Sequence, residues 1–313
     1  MDEKKKLIIL TGPTAVGKTK LSVELAAKVG GEIISADSMQ VYRGMDIGSA
    51  KVTKEEMNGI RHHLIDILDP TEEFNITMFQ DFAKKAMAEI YSRGNIPIIV
   101  GGTGFYIQSV LYDIDFTKSE DDGGLRRELE EKASKEGKQY MHDWLGQLDP
   151  ESAQSIPTGN VRRVIRAIEY YLQNGTKISD HNRQQREKSS PYDFKYFVLN
   201  MDRTRLYDRI EKRIDLMLQE GLVEEVKRLK ELGCRKGMTS MQGLGYKEIL
   251  SFLDGECSLT DAVTLLKRDT RHFAKRQLTW FRREQDVIWV DKEAFLEDDV
   301  KICEFMLSEL NRL

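Results

Sequence analysis

The stretch GPTAVGKT, residues 12–19, is the part of the sequence that most clearly predicts chemistry. It fits the pattern G-x-x-x-x-G-K-[ST] and lies between an apolar run at 6–10 and a helical pattern that begins at Lys18. In such a loop, backbone N–H groups surround phosphate oxygens at a helix N-terminus, the lysine bridges two phosphates, and the hydroxyl ligates Mg²⁺. We therefore expect a phosphate site formed by Gly12, Pro13, Thr14, Ala15, Val16, Gly17, Lys18 and Thr19, with Thr19 as the Mg²⁺ ligand.

Two further predicted strands end in residues that could join this loop. EIISA (32–36) is followed by Asp37, and IPIIV (96–100) is followed by GGTG (101–104). Ligands of open α/β sheets gather at the carboxyl ends of the strands, so we expect the three strand ends to converge. Asp37 would then place a carboxylate near the phosphates, with Ser38 and Gln40 as hydrogen-bonding neighbours. The alternative is that Asp37 only caps the following turn, and the pattern does not decide between the two.

An acidic residue that phosphate-hydrolysing motors use is missing from the expected place. P-loop ATPases and GTPases usually have an Asp at the end of a hydrophobic strand to hold Mg²⁺ or its water. IPIIV ends in glycines and a threonine instead. VIWVD (287–291) fits the pattern, but it lies near the end of the chain and precedes Lys292, so we interpret it as the exit of the last strand. The sequence thus disfavours an energy-coupling motor.

The order of predicted elements indicates an α/β protein with a helical insertion. Strands alternate with helices over the first hundred residues, which is typical of a doubly wound parallel sheet. Residues 116–190 are polar and show only helical patterns, after which strand signals return at 196–201 and 287–290 around helical patterns at 203–231 and 258–283. We predict a P-loop NTPase-like core with an inserted all-helical domain, divided as 1–115 (core, first part), 116–190 (insertion) and 191–313 (core completion).

Composition narrows the class of protein. The 313 residues carry a formal charge of −4, so any nucleic-acid partner has to be met by local basic surface. No apolar run approaches the roughly 20 residues of a membrane helix, and MDEKKK leaves no room for a signal peptide before the first strand. Three widely spaced cysteines, Cys234, Cys257 and Cys303, predict reduced thiols in the cytoplasm.

Two later stretches could bind RNA, and a third could approach a ligand. VRRVIRAIEYYL (161–172) is amphipathic: Val161, Val164, Ile165, Ile168 and Leu172 form its predicted buried face and three arginines the other. KRDTRHFAKRQLTWFRR (267–283) has seven basic residues and one acid, with Trp280 and Phe281 among them. Basic side chains bind phosphates and aromatic rings stack on bases, although a solvated helix face with a buried core would give the same pattern. MQGLGYK (241–247) could approach a ligand with its glycines or simply begin a helix.

Together these stretches resemble the tRNA dimethylallyltransferases, or isopentenyltransferases. The likeness rests on the following stretches, which occur in the expected order over nearly the whole chain: GPTAVGKT (12–19), DSMQVYRGMDIGSAK (37–51), GGTGFY (101–106), VRRVIRAIEYY (161–171), GLGYKE (243–248) and AKRQLTWFR (274–282). The resemblance implies transfer of a dimethylallyl group from dimethylallyl diphosphate to N6 of the adenine on the 3′ side of the anticodon. The tRNAs would be those that read codons beginning with U, and diphosphate would be released.

The resemblance also implies roles for individual residues. Asp37 is the general base, Thr103 lies near the target base, and Lys18 and Arg213 neutralise the diphosphate together with Mg²⁺ on Thr19. The residues implied in binding the anticodon stem-loop are Asp37, Ser38, Met39, Gln40, Thr103, Arg126, Arg162, Arg163, Val164, Ile165, Arg166, Gln242, Gly243, Leu244, Gly245, Tyr246, Lys247, Lys275, Arg276, Gln277, Leu278, Thr279, Trp280, Phe281 and Arg282. A monomer is implied as well. Val16 replaces a common Ser, and GNVR (159–162) replaces a more usual Asp-Pro-Gln before Arg163.

Two other functions fit parts of the sequence. A nucleotide or small-metabolite kinase with the insertion as its lid would explain the P-loop, but it leaves residues 267–283 without a role. A non-catalytic RNA-binding or nucleotide-switch protein would leave Asp37 at a strand end unexplained.

Overall fold

A six-stranded parallel sheet forms the centre of the computed structural model, which describes residues 4–116 and 124–311. The first part of the chain forms β1 (Lys5–Thr11), α1 (Lys18–Val29), β2 (Gly31–Ser35), α2 (Lys54–Met57), β3 (His62–His63), α3 (Ile76–Ser92), β4 (Ile96–Gly101) and α4 (Gly104–Leu111). Four helices follow: α5 (Gly124–Leu148), α6 (Pro150–Ser155), α7 (Val161–Asn174) and α8 (Ile178–Arg186). The rest comprises β5 (Tyr192–Asn200), α9 (Arg203–Gln219), α10 (Leu222–Glu231), α11 (Tyr246–Leu253), α12 (Leu259–Phe281), β6 (Val287–Asp291) and α13 (Asp299–Leu310).

The strand order is β3-β2-β4-β1-β5-β6, and every pair is parallel. Leu7 to Leu10 of β1 are all buried, whichever side of the strand they point to. Such continuous burial is typical of parallel strands covered by helices on both faces. The predicted doubly wound parallel α/β core is therefore confirmed.

The strand order brings the predicted site residues to one edge of the sheet. Strand β4 lies between β1 and β2 and pairs with both, with Ile98 opposite Ile8 on one side and Ile33 on the other. At their carboxyl ends, β1 leads into the P-loop, β2 leads to Asp37, and β4 leads to Gly102. The predicted convergence of the three strand ends is confirmed.

The chain divides into two compact units. One runs to Leu111 and resumes at Pro191, and the other is Tyr112–Ser190. The smaller unit contains α5 to α8 and has its own core, formed by Leu129, Met141, Leu145, Val164, Ile165, Ala167 and Ile168. Helix α5 is interrupted at Gly137, which has φ 86° and ψ 167°. Residues 117–123, which belong to the predicted insertion, lie outside the described residues.

Several predicted elements differ from the structure. The helical pattern at 203–231 is two helices, because Gly221 at φ 101° forms the left-handed start of α10. Leu172 was predicted to be buried but is 45% exposed, since it is the last member of the apolar stripe and α7 ends at Asn174.

Candidate functional site

The phosphate loop has its lysine folded across it. Gly12 has φ 145°, and a Cβ at this position would lie 2.6 Å from the Leu199 carbonyl oxygen, so the loop can pass β5 only with glycine here. Lys18 Nζ donates to the Gly12 oxygen at 3.0 Å and to the Pro13 oxygen at 2.8 Å. The ammonium group thus lies at the start of the loop, beside the N-terminus of α1, where a phosphate would be bound.

Two basic side chains share this loop. Arg213 of α9 donates from Nη1 to Thr14 Oγ1 at 3.4 Å. The pKa of Lys18 is lowered to about 8, mainly by burial and to a smaller extent by the positive charge of Arg213. The negative charge of Asp37 acts in the opposite direction. Burial also lowers the pKa of Arg213, again opposed by Asp37. An anion between these two cations would relieve their repulsion.

Asp37 follows β2 and is held in a tight turn. Its Oδ1 accepts hydrogen bonds from the backbone N–H groups of Met39 at 2.8 Å and Gln40 at 3.4 Å. Burial and then the charge of Asp37 raise the pKa of Tyr106 to about 12. The carboxylate therefore caps the turn, and its charge also acts on Lys18, Arg213 and Tyr106. The turn fixes one carboxylate oxygen and thereby orients the other.

The end of β4 is joined to the phosphate loop through Gln277 of α12. Gln277 Nε2 donates to the Gly102 oxygen at 3.0 Å, while its Oε1 accepts from the Thr14 N–H at 2.9 Å. A Cβ at Gly104 would lie 2.2 Å from the Trp280 ring, so α12 packs directly against the start of α4. The Thr103 N–H donates to the Ala36 oxygen at 3.4 Å, which ties this end to that of β2.

A buried carboxylate holds the loop that follows Asp37. Glu225 of α10 accepts hydrogen bonds from the N–H groups of Asp46, Ile47 and Gly48 at 2.9, 2.8 and 3.1 Å. The Tyr246 hydroxyl donates to the same carboxylate at 2.8 Å. Glu225 is 1% exposed, and no sequence signal separates it from its exposed neighbour Glu224. It therefore anchors residues 46–48 to the helices of the core.

We expect Glu225→Gln to lower the free energy of unfolding by about 2–4 kcal/mol, because an amide cannot accept all of these hydrogen bonds and would direct N–H groups at other donors. Urea unfolding measures the change. Glu224→Gln, on the exposed side of α10, is the matched control and should change stability little. Equal stability of the two variants would contradict this role.

Comparison with known proteins then identifies the family. Residues 40–284 match the sequence model of the family described as IPP transferase. The chain is 61% identical over 292 residues to a tRNA dimethylallyltransferase of Lachnoclostridium phytofermentans, with 93% of each chain covered. It is 50% identical over 293 residues to that of Acetivibrio thermocellus, with 94% of each chain covered. The chain belongs to the tRNA dimethylallyltransferase family.

Solved structures of the family share the fold. The full-length tRNA isopentenylpyrophosphate transferase of Bacillus halodurans is 45% identical, with a TM-score of 0.74 and coverage of 99% of this chain and 98% of that one. A eukaryotic dimethylallyltransferase acting on tRNA is 31% identical, with a TM-score of 0.79 and coverage of 92% and 74%, respectively. The resemblance inferred from the motifs is confirmed.

The predicted RNA-binding helix of this family member, α12, has two distinct faces. Gln277 and Phe281 are buried, so the side chains of these two members of the predicted tRNA-binding stretch do not lie on its exposed face. Exposed positions include Lys275, Arg276, Thr279 and Arg282. An open groove of ≈ 500 Å³ is lined by His272, Lys275, Arg276, Thr279, Trp280 and Arg283. The second half of α12 therefore presents cations and an aromatic ring on one surface.

Ion pairing distinguishes the two halves of α12. In the first half, Lys267 pairs with Asp215, Arg268 with Asp269, and Arg271 with Glu211. In the second half and the two residues that follow it, no acidic side chain of the described chain pairs with Lys275, Arg276, Arg282 or Arg283. Only the second half thus has cations that are free to meet phosphates.

We expect the double variant Lys275→Ala/Arg276→Ala to bind tRNA about tenfold more weakly and to lower the slope of log Kd against log salt by about 1–2, because two phosphate contacts are lost. A filter-binding titration at several salt concentrations measures both quantities. The control Lys267→Ala/Arg268→Ala removes the same charge from the paired half and should leave the slope unchanged. A slope that changes equally in both would contradict the assignment.

Residues 241–247, which include the loop before α11 and the start of that helix, are only partly accessible to a ligand. Gln242 and Lys247 are exposed, and Leu244 is half-buried. Tyr246, another residue of the predicted tRNA-binding set, is fully buried and donates a hydrogen bond to Glu225, so its side chain is not at the surface of this loop. A Cβ at Gly243 would lie 2.6 Å from Met39 Sδ, so this glycine allows the loop to contact the Asp37–Gln40 turn.

In the smaller unit, α7 presents arginines on its exposed face. Arg162 and Arg163 are exposed, whereas Val164 and Ile165 are 0% and 4% exposed in the core, so side-chain contact of the latter two with RNA is excluded. Arg126 donates from Nε and Nη2 to the two carboxylate oxygens of the buried Glu169. Glu169 also pairs with Arg166 at 3.2 Å. Burial alone would raise the pKa of Glu169, but the two guanidinium groups hold it below its usual value. The two arginines are thereby fixed beside each other.

Three further predictions can be compared with the structure. The Thr19 hydroxyl lies in the first turn of α1 next to Lys18, and one hydroxyl with phosphate oxygens is a donor set that suits Mg²⁺. None of the described helices is long and apolar enough to cross a membrane. Cys234, Cys257 and Cys303 form no disulfides.

Proposed function

We propose that this chain transfers the dimethylallyl group of dimethylallyl diphosphate to N6 of the adenine on the 3′ side of the anticodon. The tRNAs are those that read codons beginning with U. One observation carries the proposal: the larger unit brings the phosphate loop, the Asp37 carboxylate and the groove of α12 around the carboxyl ends of three adjacent strands. The membership of the tRNA dimethylallyltransferase family supports it.

The reaction is a substitution at the first carbon of the dimethylallyl group. The N6 nitrogen forms a bond to this carbon, and the carbon–oxygen bond to diphosphate breaks with its electron pair left on oxygen. The exocyclic amine is a poor nucleophile, so a base has to accept its proton as the bond forms. Asp37 is the base, because the turn that fixes its Oδ1 leaves Oδ2 without a hydrogen bond among the described residues.

The departing diphosphate is stabilised by the residues around the P-loop. Lys18 and Arg213 carry positive charge to the loop, and the backbone N–H groups at the start of α1 add partial charge. Mg²⁺ bound to Thr19 would neutralise further charge on the phosphates. Lys18 exchanges the Gly12 and Pro13 oxygens for phosphate oxygens when the donor binds.

The acceptor adenine has to leave its stack to reach Asp37. Flipping a base out of an anticodon loop costs a few kcal/mol, which contacts elsewhere on the tRNA must offset. The Asp37–Gln40 turn and Thr103 would contact the flipped base. The exposed arginines of α7, together with Arg126, Gln242, Lys247 and the basic groove of α12, would bind the anticodon stem-loop, and the enzyme would act as a monomer.

The choice of acceptor can be tested with two unmodified tRNAs that differ only in having adenine or guanine on the 3′ side of the anticodon. We expect the adenine tRNA to gain a dimethylallyl group that nucleoside analysis finds on N6. The guanine tRNA should bind with similar affinity but gain none. Equal modification of both tRNAs, or modification at another nucleoside, would contradict the proposed acceptor.

A further inference from the structure

Two further basic side chains, Lys292 and Arg209, lie close to the phosphate loop at Gly17. A Cβ built on Gly17 would lie 3.2 Å from Lys292 Nζ and 3.5 Å from Arg209 Nη2. Lys292 directly follows β6, and Arg209 lies on α9 one turn before Arg213. Neither residue belongs to the motifs on which the family resemblance rests.

We propose that Lys292 and Arg209 form a second basic wall of the diphosphate site and bind a phosphate group at the Gly17 end of the loop. The identity of the ligand as a diphosphate rests on the proposed function. Lys18 and Arg213 contact the other end of the loop, at Gly12, Pro13 and Thr14. Cations thus line both ends of the loop, an arrangement that suits a ligand with two linked phosphates.

The charged groups around Lys292 leave a net positive charge next to Gly17. The residue is 3% exposed, and its Nζ is 2.9 Å from Asp299 Oδ1. Asp299 is shared with Lys20, whose Nζ is 3.2 Å from Oδ2 and whose side chain is 71% exposed. One carboxylate therefore faces two ammonium groups, and the buried one points to the loop. A buried ammonium group needs a strong partner, and an incoming phosphate would add a second one to the carboxylate that Lys292 shares with Lys20.

Arg209 repeats this arrangement. Its Nη1 is 3.6 Å from Glu297 Oε2, while Nη2 is the atom nearest Gly17. Glu297 is shared with Arg205, whose Nη1 lies 2.6 Å from Oε1. Arg209 and Arg213 are four residues apart on α9 and so lie on one face of the helix, along the loop. A guanidinium group with one side unused can form charge-assisted hydrogen bonds to phosphate.

These shared partners provide matched controls for a binding experiment. Lys292→Met and Lys20→Met each remove one ammonium group from Asp299, but only Lys292 reaches Gly17. Arg209→Gln and Arg205→Gln each remove one guanidinium group from Glu297, but only Arg209 reaches Gly17. Calorimetric titration of the full chain with inorganic diphosphate in the presence of Mg²⁺ gives the Kd of each variant, and thermal unfolding checks folding.

We expect Lys292→Met and Arg209→Gln to weaken diphosphate binding about 5- to 20-fold, with Lys20→Met and Arg205→Gln within about twofold of the unchanged protein. If Lys292→Met folds poorly, the arginine pair decides, because Arg209 is 41% exposed and its loss leaves little buried charge unpaired. A folded variant that matches its control overturns the proposal. Failure of the unchanged protein to bind diphosphate would instead contradict the proposed function.

Discussion

Replacing Asp37 with Asn is expected to lower turnover by about 10²–10⁴ while tRNA and dimethylallyl diphosphate still bind, because the amide cannot accept the N6 proton. Asn retains an oxygen that can accept the hydrogen bonds of the Met39 and Gln40 N–H groups, so the turn should persist. Single-turnover rates with saturating substrates measure the chemical step. Asp37→Ala should show the same loss of turnover and an additional loss of stability.

The two variants separate the roles of Asp37. If the carboxylate only capped the turn, Asp37→Asn would react at nearly the normal rate and only Asp37→Ala would be impaired. A normal rate for Asp37→Asn would therefore exclude Asp37 as the base, even with the family correctly identified.

Replacing Lys18 with Met is expected to lower kcat/KM for dimethylallyl diphosphate by about 10²–10³, the usual effect of losing one group that stabilises developing negative charge. Lys20→Met is the matched control, since Lys20 is the other lysine in the first turn of α1 but is 71% exposed and pairs with Asp299. Steady-state kinetics with the donor varied measures the effect. A loss that is equal in both variants would exclude a specific role for Lys18.

The lowered pKa of Lys18 predicts how binding of the donor depends on pH. Its pKa is about 8 in the ligand-free chain, and an adjacent diphosphate would raise it. Below pH 8 the lysine is charged before the donor arrives. Above pH 8 binding has to take up a proton, so affinity falls by up to about tenfold per pH unit until the pKa of the bound state is reached. Calorimetry in two buffers of different ionisation enthalpy should detect this uptake, which Lys18→Met abolishes.

Local motifs and parallel topology made the centre of the site predictable from sequence. The P-loop is specified by eight neighbouring residues, and parallel strands must end at the same edge of the sheet, so Asp37 and Gly101–Thr103 could be placed beside it. In contrast, β3 has only two residues, which is too short for any periodic pattern.

The supporting residues could not be predicted, because their roles arise only when distant segments meet. Gln277 lies 263 residues from Thr14, and Glu225 lies 177 residues from Gly48. Both occur in amphipathic helices whose pattern shows that a face is buried but does not show what it contacts. Gln277, Tyr246 and Phe281 belong to basic or glycine-bearing stretches that predict RNA binding, and the sequence does not show that their side chains point inward.

The fate of the two parts of the donor shows whether the chain transfers the dimethylallyl group to tRNA and releases the diphosphate. The chain is incubated with unmodified tRNA, ATP and dimethylallyl diphosphate labelled with carbon in the dimethylallyl group and with phosphorus in the diphosphate. We expect carbon label in the tRNA, phosphorus label released as free diphosphate in equal amount, and ATP left intact. Consumption of ATP with no carbon label in the tRNA would contradict it and favour a kinase.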